Sequence, residues 1–232
     1  MHQQHTSMKV CTDACLFGAW VAHTEVNKMA SSILDIGTGT GILSLMLAQK
    51  TNVHATITGI EIESQAAKEA ASNFEGSPWK ERMKVHHESL QNFSSKYNHQ
   101  GYDLIISNPP FYEGDLKSPN ENKNMASHST HLPWVNLVEK VATLLNIEGH
   151  FFVLIPTLRA YTMQKLAEAN GLFLQAEILI YHNTKHLPFR SFLQLSRTKP
   201  HSIVRERIII KDADNNYQPA FKELLKDYYL FL

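Results

Sequence analysis

The sequence predicts an α/β fold: a central, mostly parallel seven-stranded sheet with helices on both faces and an antiparallel hairpin at one edge. Three observations carry that expectation. Short apolar, β-branched runs alternate with helical stretches at roughly thirty residues per unit, the spacing of strand–helix–strand crossovers. Gly and Pro stand at nearly every switch between the two patterns. The last two long runs, Leu172–Tyr181 and Phe189–Ser196, are joined by a polar loop with no helix between them, so they are expected to pair antiparallel.

Taken in order, Ser32–Ile36 is a strand that runs into a Gly-rich turn, and Ile42–Gln49 is a helix with Ile42, Leu45 and Met46 on one face. His54–Ile62 is β-branched and closes in acids. Ser64–Phe74 is Ala-rich and helical, and Met83–His87 is a short strand. Tyr102–Ser107 (YDLIIS) is a strand halted by Asn108-Pro109-Pro110, since Pro cannot donate to a ladder. Glu113–Ser129, with its polar Pro119–Asn124, is expected to be a loop. Leu132–Leu145 reads as a helix, His150–Ile155 (HFFVLI) as a buried strand and Leu158–Ala169 as a helix. Ile208–Ile210 is a last short strand, and Gln218–Leu232 a terminal helix. The expected layout is one domain, with an N-terminal segment 1–30 covering the site, a core of 31–200 and a C-terminal extension of 201–232.

Composition narrows the classes. The chain has 232 residues, of which 43% are hydrophobic, which suffices for a core. No apolar run is long enough to span a bilayer, so no membrane partner is expected. The opening residues lack the basic and apolar regions of a secretory signal, so a cytoplasmic location is expected. The two cysteines, Cys11 and Cys15, lack a second ligand pair, and His182 and His186 fall in a strand and loop rather than on one helix face, so no metal is expected. A monomer is expected. The 22 basic and 22 acidic residues cancel, which at first argues against a nucleic-acid partner.

Two motifs carry chemistry. In Leu34-Asp-Ile-Gly-Thr-Gly-Thr-Gly-Ile-Leu43, glycines at 37, 39 and 41 allow a tight turn and close approach of a ligand. A dinucleotide fingerprint needs its third Gly one position later, where Ile42 stands. Asp35 repels a pyrophosphate but suits the ammonium of a methionine-type moiety. Glu61, with Ile62 beside it, ends the second strand where an acid can accept both ribose hydroxyls, and Glu88-Ser89 follows the third strand where an adenine ring would lie. Asp35, Gly37, Thr38, Gly39, Gly41, Glu61, Ile62, Glu88 and Ser89 thus compose a candidate pocket for S-adenosylmethionine, with S-adenosylhomocysteine as product.

The second motif is Asn108-Pro109-Pro110-Phe111. An exocyclic amine conjugated to a ring is a poor nucleophile. The Asn108 side-chain carbonyl and the Pro109 backbone carbonyl can accept its two N–H groups and aim its lone pair at a sulfonium methyl. The two prolines stiffen the turn. Phe111 can stack on the flat substrate, which helps offset the few kcal/mol needed to extrude a base. Asn108 would border the cofactor as well.

Together the two motifs resemble class I S-adenosylmethionine-dependent methyltransferases that modify amino groups, and the Rossmann-like fold of that class is implied. The stretch Met8-Lys-Val-Cys-Thr-Asp-Ala-Cys-Leu-Phe-Gly-Ala-Trp20 is similar to the opening of the bacterial tRNA(Val) adenine-N6 methyltransferases, and Asp212–Leu232 resembles that family's ending. The resemblance covers nearly the whole chain. It implies methylation of the adenine beside the anticodon, and that Lys9, Thr12 and Asp13 close over the cofactor's methionine end. Cys11 replaces a usual Gly, and Ala126-Ser127-His128 lacks the Arg of the family's A-R-H, with His128 a candidate for the substrate mouth. Met1 leaves no room for the Phe-rich strand that usually precedes the opening motif, which implies a trimmed substrate side or a start further upstream.

Other readings are a ribosomal guanine-N2 or protein glutamine methyltransferase, a dinucleotide oxidoreductase and a non-catalytic RNA-binding module. The opening motif, Ile42 and the intact Asn-Pro-Pro-Phe respectively weigh against them. The charge balance conceals a polarity. Between Ile178 and Lys211 stand Lys185, Arg190, Arg197, Lys199, Arg205, Arg207 and Lys211 against the single acid Glu206. The first six are the candidate tRNA contacts. The aromatic tail (Tyr228, Tyr229, Phe231) is expected to pack on the domain.

Overall fold

A computed structural model gives the architecture, and it describes residues 11–97, 101–110 and 133–229. Lys9, Phe111, the expected loop 113–129 with Ser127 and His128, and Phe231 lie outside the described residues. Eight strands form one sheet: β1 (Ser32–Ile36), β2 (Thr56–Glu61), β3 (Met83–His87), β4 (Tyr102–Ser107), β5 (Leu145–Pro156), β6 (Phe173–Tyr181), β7 (Arg190–Ser196) and β8 (Val204–Ile209). Their spatial order is β3-β2-β1-β4-β5-β7-β6-β8. Every neighbouring pair is parallel except the two that include β7.

The mostly parallel sheet and the antiparallel β6–β7 hairpin agree with the sequence. Two details differ. The sheet has eight strands rather than seven, and the hairpin is not at the edge, because β8 lies outside it, parallel to β6. The first four residues of β8 are exposed and charged or solvent-facing, so only Ile208 onward reads as apolar. β5 likewise starts at Leu145, immediately after the preceding helix, rather than at His150. Gly149 allows this: a Cβ there would stand 2.7 Å from the Tyr102 carbonyl oxygen, where the β4–β5 register shifts.

Among the described residues, eight helices flank the sheet: α1 (Thr12–His23), α2 (Glu25–Met29), α3 (Ile42–Ala48), α4 (Ser64–Glu75), α5 (Leu90–Lys96), α6 (Trp134–Leu144), α7 (Ala160–Ala169) and α8 (Pro219–Leu225). The terminal helix is shorter than Gln218–Leu232: it ends at Leu225. α1 leaves little amphipathic trace because it is buried nearly all round, from Ala14 to Val21 apart from Trp20. α5 is announced by Ser89, whose hydroxyl accepts from the Asn92 N–H at 3.2 Å.

Alternation along the central strands divides the core. Ile33, Leu104, Ile106 and Phe152 face α1, α3 and α8. Leu34, Ile105, Phe151 and Val153 face α5, α6 and α7. Tyr228 and Tyr229 pack on the first of these layers, as expected of the tail. No helix of the described residues is long and apolar enough to cross a membrane.

Candidate active site

The parallel register brings the strand ends to one level. Ile36 lies beside both Ile60 and Ser107, and Glu61 lies beside His87. Chain order reverses between β1 and β4, the switch point at which open α/β sheets bind ligands. There the Ser107 hydroxyl donates to the Ile36 carbonyl at 2.9 Å, which ties the Asn108 turn to the Gly-rich turn.

Gly37, Gly39 and Gly41 all adopt positive φ (70°, 55° and 82°), the left-handed region that L side chains avoid. The Gly37 and Thr38 N–H groups donate to the Ile60 carbonyl at 2.9 and 3.0 Å, folding the turn over the end of β2. Glu61 completes the cradle: its carboxylate accepts from the Gly39 N–H and from the Glu63 N–H, each at 2.9 Å. Four lone-pair directions on a carboxylate leave capacity for further donors. Ile62, half exposed, offers an apolar surface beside it.

Asp35 is fully buried. One carboxylate oxygen accepts from the Thr38 hydroxyl at 2.7 Å and the Ser44 hydroxyl at 2.8 Å; the other, Oδ1, has no hydrogen-bond partner. Burial pushes its carboxyl up to about 6, against the opposing pull of the Thr38 and Ser44 hydrogen bonds. Glu88 has a similar asymmetry. One oxygen meets Lys96, and Oε2 is buried without a hydrogen-bond partner. Two orphaned carboxylate oxygens on the same sheet edge fit a ligand that brings donors, as an ammonium and an adenine amine would.

Asn108 is half-buried and its side-chain oxygen is enclosed, while Pro109 is buried. Asp13 and Arg190, expected at the cofactor and at RNA, meet each other: Arg190 Nε donates to Asp13 Oδ2 at 2.9 Å. That pair fastens the start of α1 to the start of β7. Thr12 is exposed beside it and shares a hydrogen bond with the Tyr229 hydroxyl. Sequence reading missed three supports. Ser44 holds Asp35, the Asn73 amide donates to the Thr40 carbonyl at 2.9 Å, and the Phe74 ring lies under Gly41. Asn73 and Phe74 continue the buried stripe of Ala66, Glu69 and Ala70 along α4, and a polar residue within such a stripe was the available signal.

The basic segment does not form one patch. β7 runs against the rest of the sheet, so the turn 182–189 lies at the carboxyl edge with Asn108, whereas the connection 197–203 lies at the opposite edge, on the order of 20 Å away. Lys185 and Arg190 share the site's edge. Arg197 and Lys199 do not, and Arg197 donates to the Ala142 and Leu145 carbonyls at the end of α6. Arg205 sits 3.6 Å from Glu177, and Arg207 is exposed on the outermost strand. Arg197→Ala is therefore expected to lower stability by about 1–3 kcal/mol in denaturant titration while the salt dependence of RNA binding stays as in wild type. Lys185→Ala is expected to reduce that log–log slope by about 0.7–0.9 with stability unchanged. Among the described residues, no group of three or more His, Cys, Asp or Glu side chains could hold a metal ion.

Comparison with known proteins gives the family and the fold. Residues 18–169 match the family model for the methyltransferase small domain. A Cytophaga hutchinsonii protein named tRNA1(Val) (adenine(37)-N6)-methyltransferase is 40% identical, with the alignment covering 100% of this chain and 95% of that protein. A Bacteroides fragilis protein of the same name is 35% identical over 97% of this chain and 92% of its own length. Among solved structures, a predicted O-methyltransferase from Agrobacterium tumefaciens superposes with a TM-score of 0.66 at 15% identity, over 92% of this chain and 95% of that one. An S-adenosylmethionine-dependent methyltransferase from the same organism reaches 0.59 at 16% identity, over 82% of this chain and 63% of that one. These two establish likeness of fold.

Proposed function

The chain belongs to the methyltransferase small-domain family and, within it, to the tRNA1(Val) (adenine(37)-N6)-methyltransferases, and on that premise we propose that it methylates the exocyclic N6 of adenine 37 in a valine tRNA. The observation that carries this reading is the Asn108-Pro109-Pro110 turn held level with the Gly-rich turn at the switch point of the sheet. S-adenosylmethionine supplies the sulfonium methyl when bound. Gly37, Gly39, Glu61, Ile62 and Glu88 would hold its nucleoside, and Asp35, with Thr12, Asp13 and Lys9, its methionine end. The chain's own task is orientation. Asn108 and Pro109 accept the two amine hydrogens and turn the lone pair outward, and the proton released on methylation leaves to solvent without a strong base. Pro110 fixes the turn, and Phe111 would stack on the extruded base.

Incubation with labelled S-adenosylmethionine and unmodified total tRNA, followed by nucleoside digestion, tests the reading. N6-methyladenosine is the expected labelled product. Label in guanosine or in protein overturns it.

Asp35 gives a pH-dependent check. Between about pH 4 and 6 the native carboxyl keeps a proton that the unfolded chain has lost, so stability falls as pH rises through that window and is level above it. Only the ionised form attracts an ammonium, so cofactor affinity should weaken as pH drops below about 6. Asp35→Asn should weaken cofactor binding by about 10- to 100-fold at neutral pH, the worth of a charged hydrogen bond, and flatten both pH profiles. Calorimetry and thermal melts across pH 4–8 measure these effects.

A further inference from the structure

The start of α1 is held by contacts from far along the chain rather than by a cap of its own. Cys11 stands at the N-cap position, and its side chain makes no cap hydrogen bond. Two distant groups secure the first turn instead. Arg190 Nε donates to Asp13 Oδ2 at 2.9 Å, with both side chains largely buried. The Tyr229 hydroxyl shares hydrogen bonds with the Thr12 hydroxyl and the Cys15 thiol. Both anchors are themselves fixed. The Arg190 guanidinium lies 5.3 Å from the Phe189 ring centroid, Nη1 donates to the Phe189 carbonyl at 3.2 Å, and the Phe189 ring stacks on His182 with centroids 3.7 Å apart. The tail climbs α3 toward Tyr229: Lys50 pairs with Asp227 at 2.6 Å, and the Tyr228 hydroxyl donates to the Met46 carbonyl at 3.4 Å.

Helix packing gives the level of this turn. A Cβ at Gly18 would stand 2.8 Å from Met46 Sδ and 3.1 Å from Leu43 Cδ2, so α1 lies closely against α3. Asn27, beyond the end of α1, reaches the Leu47 carbonyl and the Thr51 hydroxyl, so the two helices run in the same sense. Asp13 precedes Gly18 by about 7 Å along the axis, at roughly 1.5 Å per residue, and Gly41 directly precedes α3. The first turn of α1 therefore stands level with the Gly-rich turn, at the carboxyl edge of the sheet.

On the reading above the Gly-rich turn holds the cofactor, so a helix start at the same level borders it. A helix start without a cap frays, and freedom in such a turn is freedom to release the ligand. Ordering it beforehand removes that cost from binding. We propose that Arg190 and Tyr229 are positioning residues that hold the first turn of α1 closed over the cofactor and so set how firmly it is retained. Arg190 brings the start of β7 into that clamp and Tyr229 brings the tail, although neither strand nor tail belongs to the Gly-rich turn. The proposal rests on the cofactor reading above and names the residues that act on the pocket through α1.

Calorimetry with S-adenosylmethionine, hydrogen exchange and initial rates test it on wild type, Arg190→Gln, Arg190→Lys, Tyr229→Phe and Arg197→Ala. Arg197→Ala controls for stability alone, since its hydrogen bonds lie at the opposite edge of the sheet. The expected result is cofactor affinity about tenfold weaker in Arg190→Gln and about threefold weaker in Tyr229→Phe, as for a charged and a neutral hydrogen bond, with Arg190→Lys closer to wild type. The loss should fall on cofactor KM rather than on kcat. Exchange should quicken in the first turn of α1 and stay as in wild type in α7. Tyr229→Phe removes a single hydroxyl from a ring that packs on the core, so it decides the matter even if Arg190→Gln fails to fold. Wild-type affinity in both Arg190→Gln and Tyr229→Phe overturns the clamp. So does a loss in Arg197→Ala equal to that in Arg190→Gln, which would make the effect one of general stability. Weakened cofactor binding in the variants, when wild type labels guanosine or protein instead of adenine, keeps the clamp and removes the adenine reading.

Discussion

Asn108→Ala is expected to lower methyl transfer by about a thousandfold while cofactor affinity stays within about twofold of wild type. The size follows from the task. Removing one preorganised polar group that acts on the reacting atoms costs about 10²–10³ in turnover, and in the proposed mechanism the same group also orients the amine. The side-chain oxygen is enclosed at the end of β4, so truncation leaves a space that water fills without restoring direction. The proposed cofactor contacts lie mainly at the ends of β1, β2 and β3, which the change does not touch. Single-turnover rates and calorimetry separate the two effects. A variant that turns over at the wild-type rate would remove Asn108 as acceptor, and one that loses cofactor binding in proportion would make it a structural residue of the pocket.

The largest stability effect is expected at Gly41. Gly41→Ala puts a Cβ 2.5 Å from Phe74 Cε1, and it does so at a φ of 82°. The backbone strain costs about 1–2 kcal/mol and overpacking a further 1–3 kcal/mol. The total, about 2–5 kcal/mol, is a large part of a typical domain's margin. Gly37→Ala is the matched control. Its φ of 70° carries the same backbone strain, but nothing lies within 4 Å of the added Cβ, so about 1–2 kcal/mol is expected. Denaturant unfolding distinguishes them: equal losses would mean that Phe74 yields freely and does not brace the turn.

The strand–helix alternation and the Gly-rich turn were legible because each is written locally, in period and in residue type. So was the end of β4, since two prolines stop a strand wherever they stand. What escaped depends on tertiary contact. α1 is wrapped on all sides and has no polar face to reveal its period. β8 presents mostly charge to solvent, so only its last residues read as strand. The reversal of β7 places Lys185 and Arg197 at opposite ends of the sheet although they are twelve residues apart in the chain. Charge counted along a sequence takes no account of such a reversal. Asn73 and Ser44, which brace the candidate pocket from behind, look like ordinary helix residues until α3 and α4 are packed on the sheet.

The position of β8 has a consequence beyond this reaction. An outermost strand exposes an unsatisfied row of N–H and C=O groups that invites another chain to extend the ladder. Here that row carries Arg205, Glu206 and Arg207, all exposed. A second copy pairing along it would have to bury three consecutive charged residues. The same arginines that a count of charge assigns to RNA thus act as wardens of the sheet's open border, and replacing them with valine or threonine would turn a soluble margin into a seed for fibrous assembly.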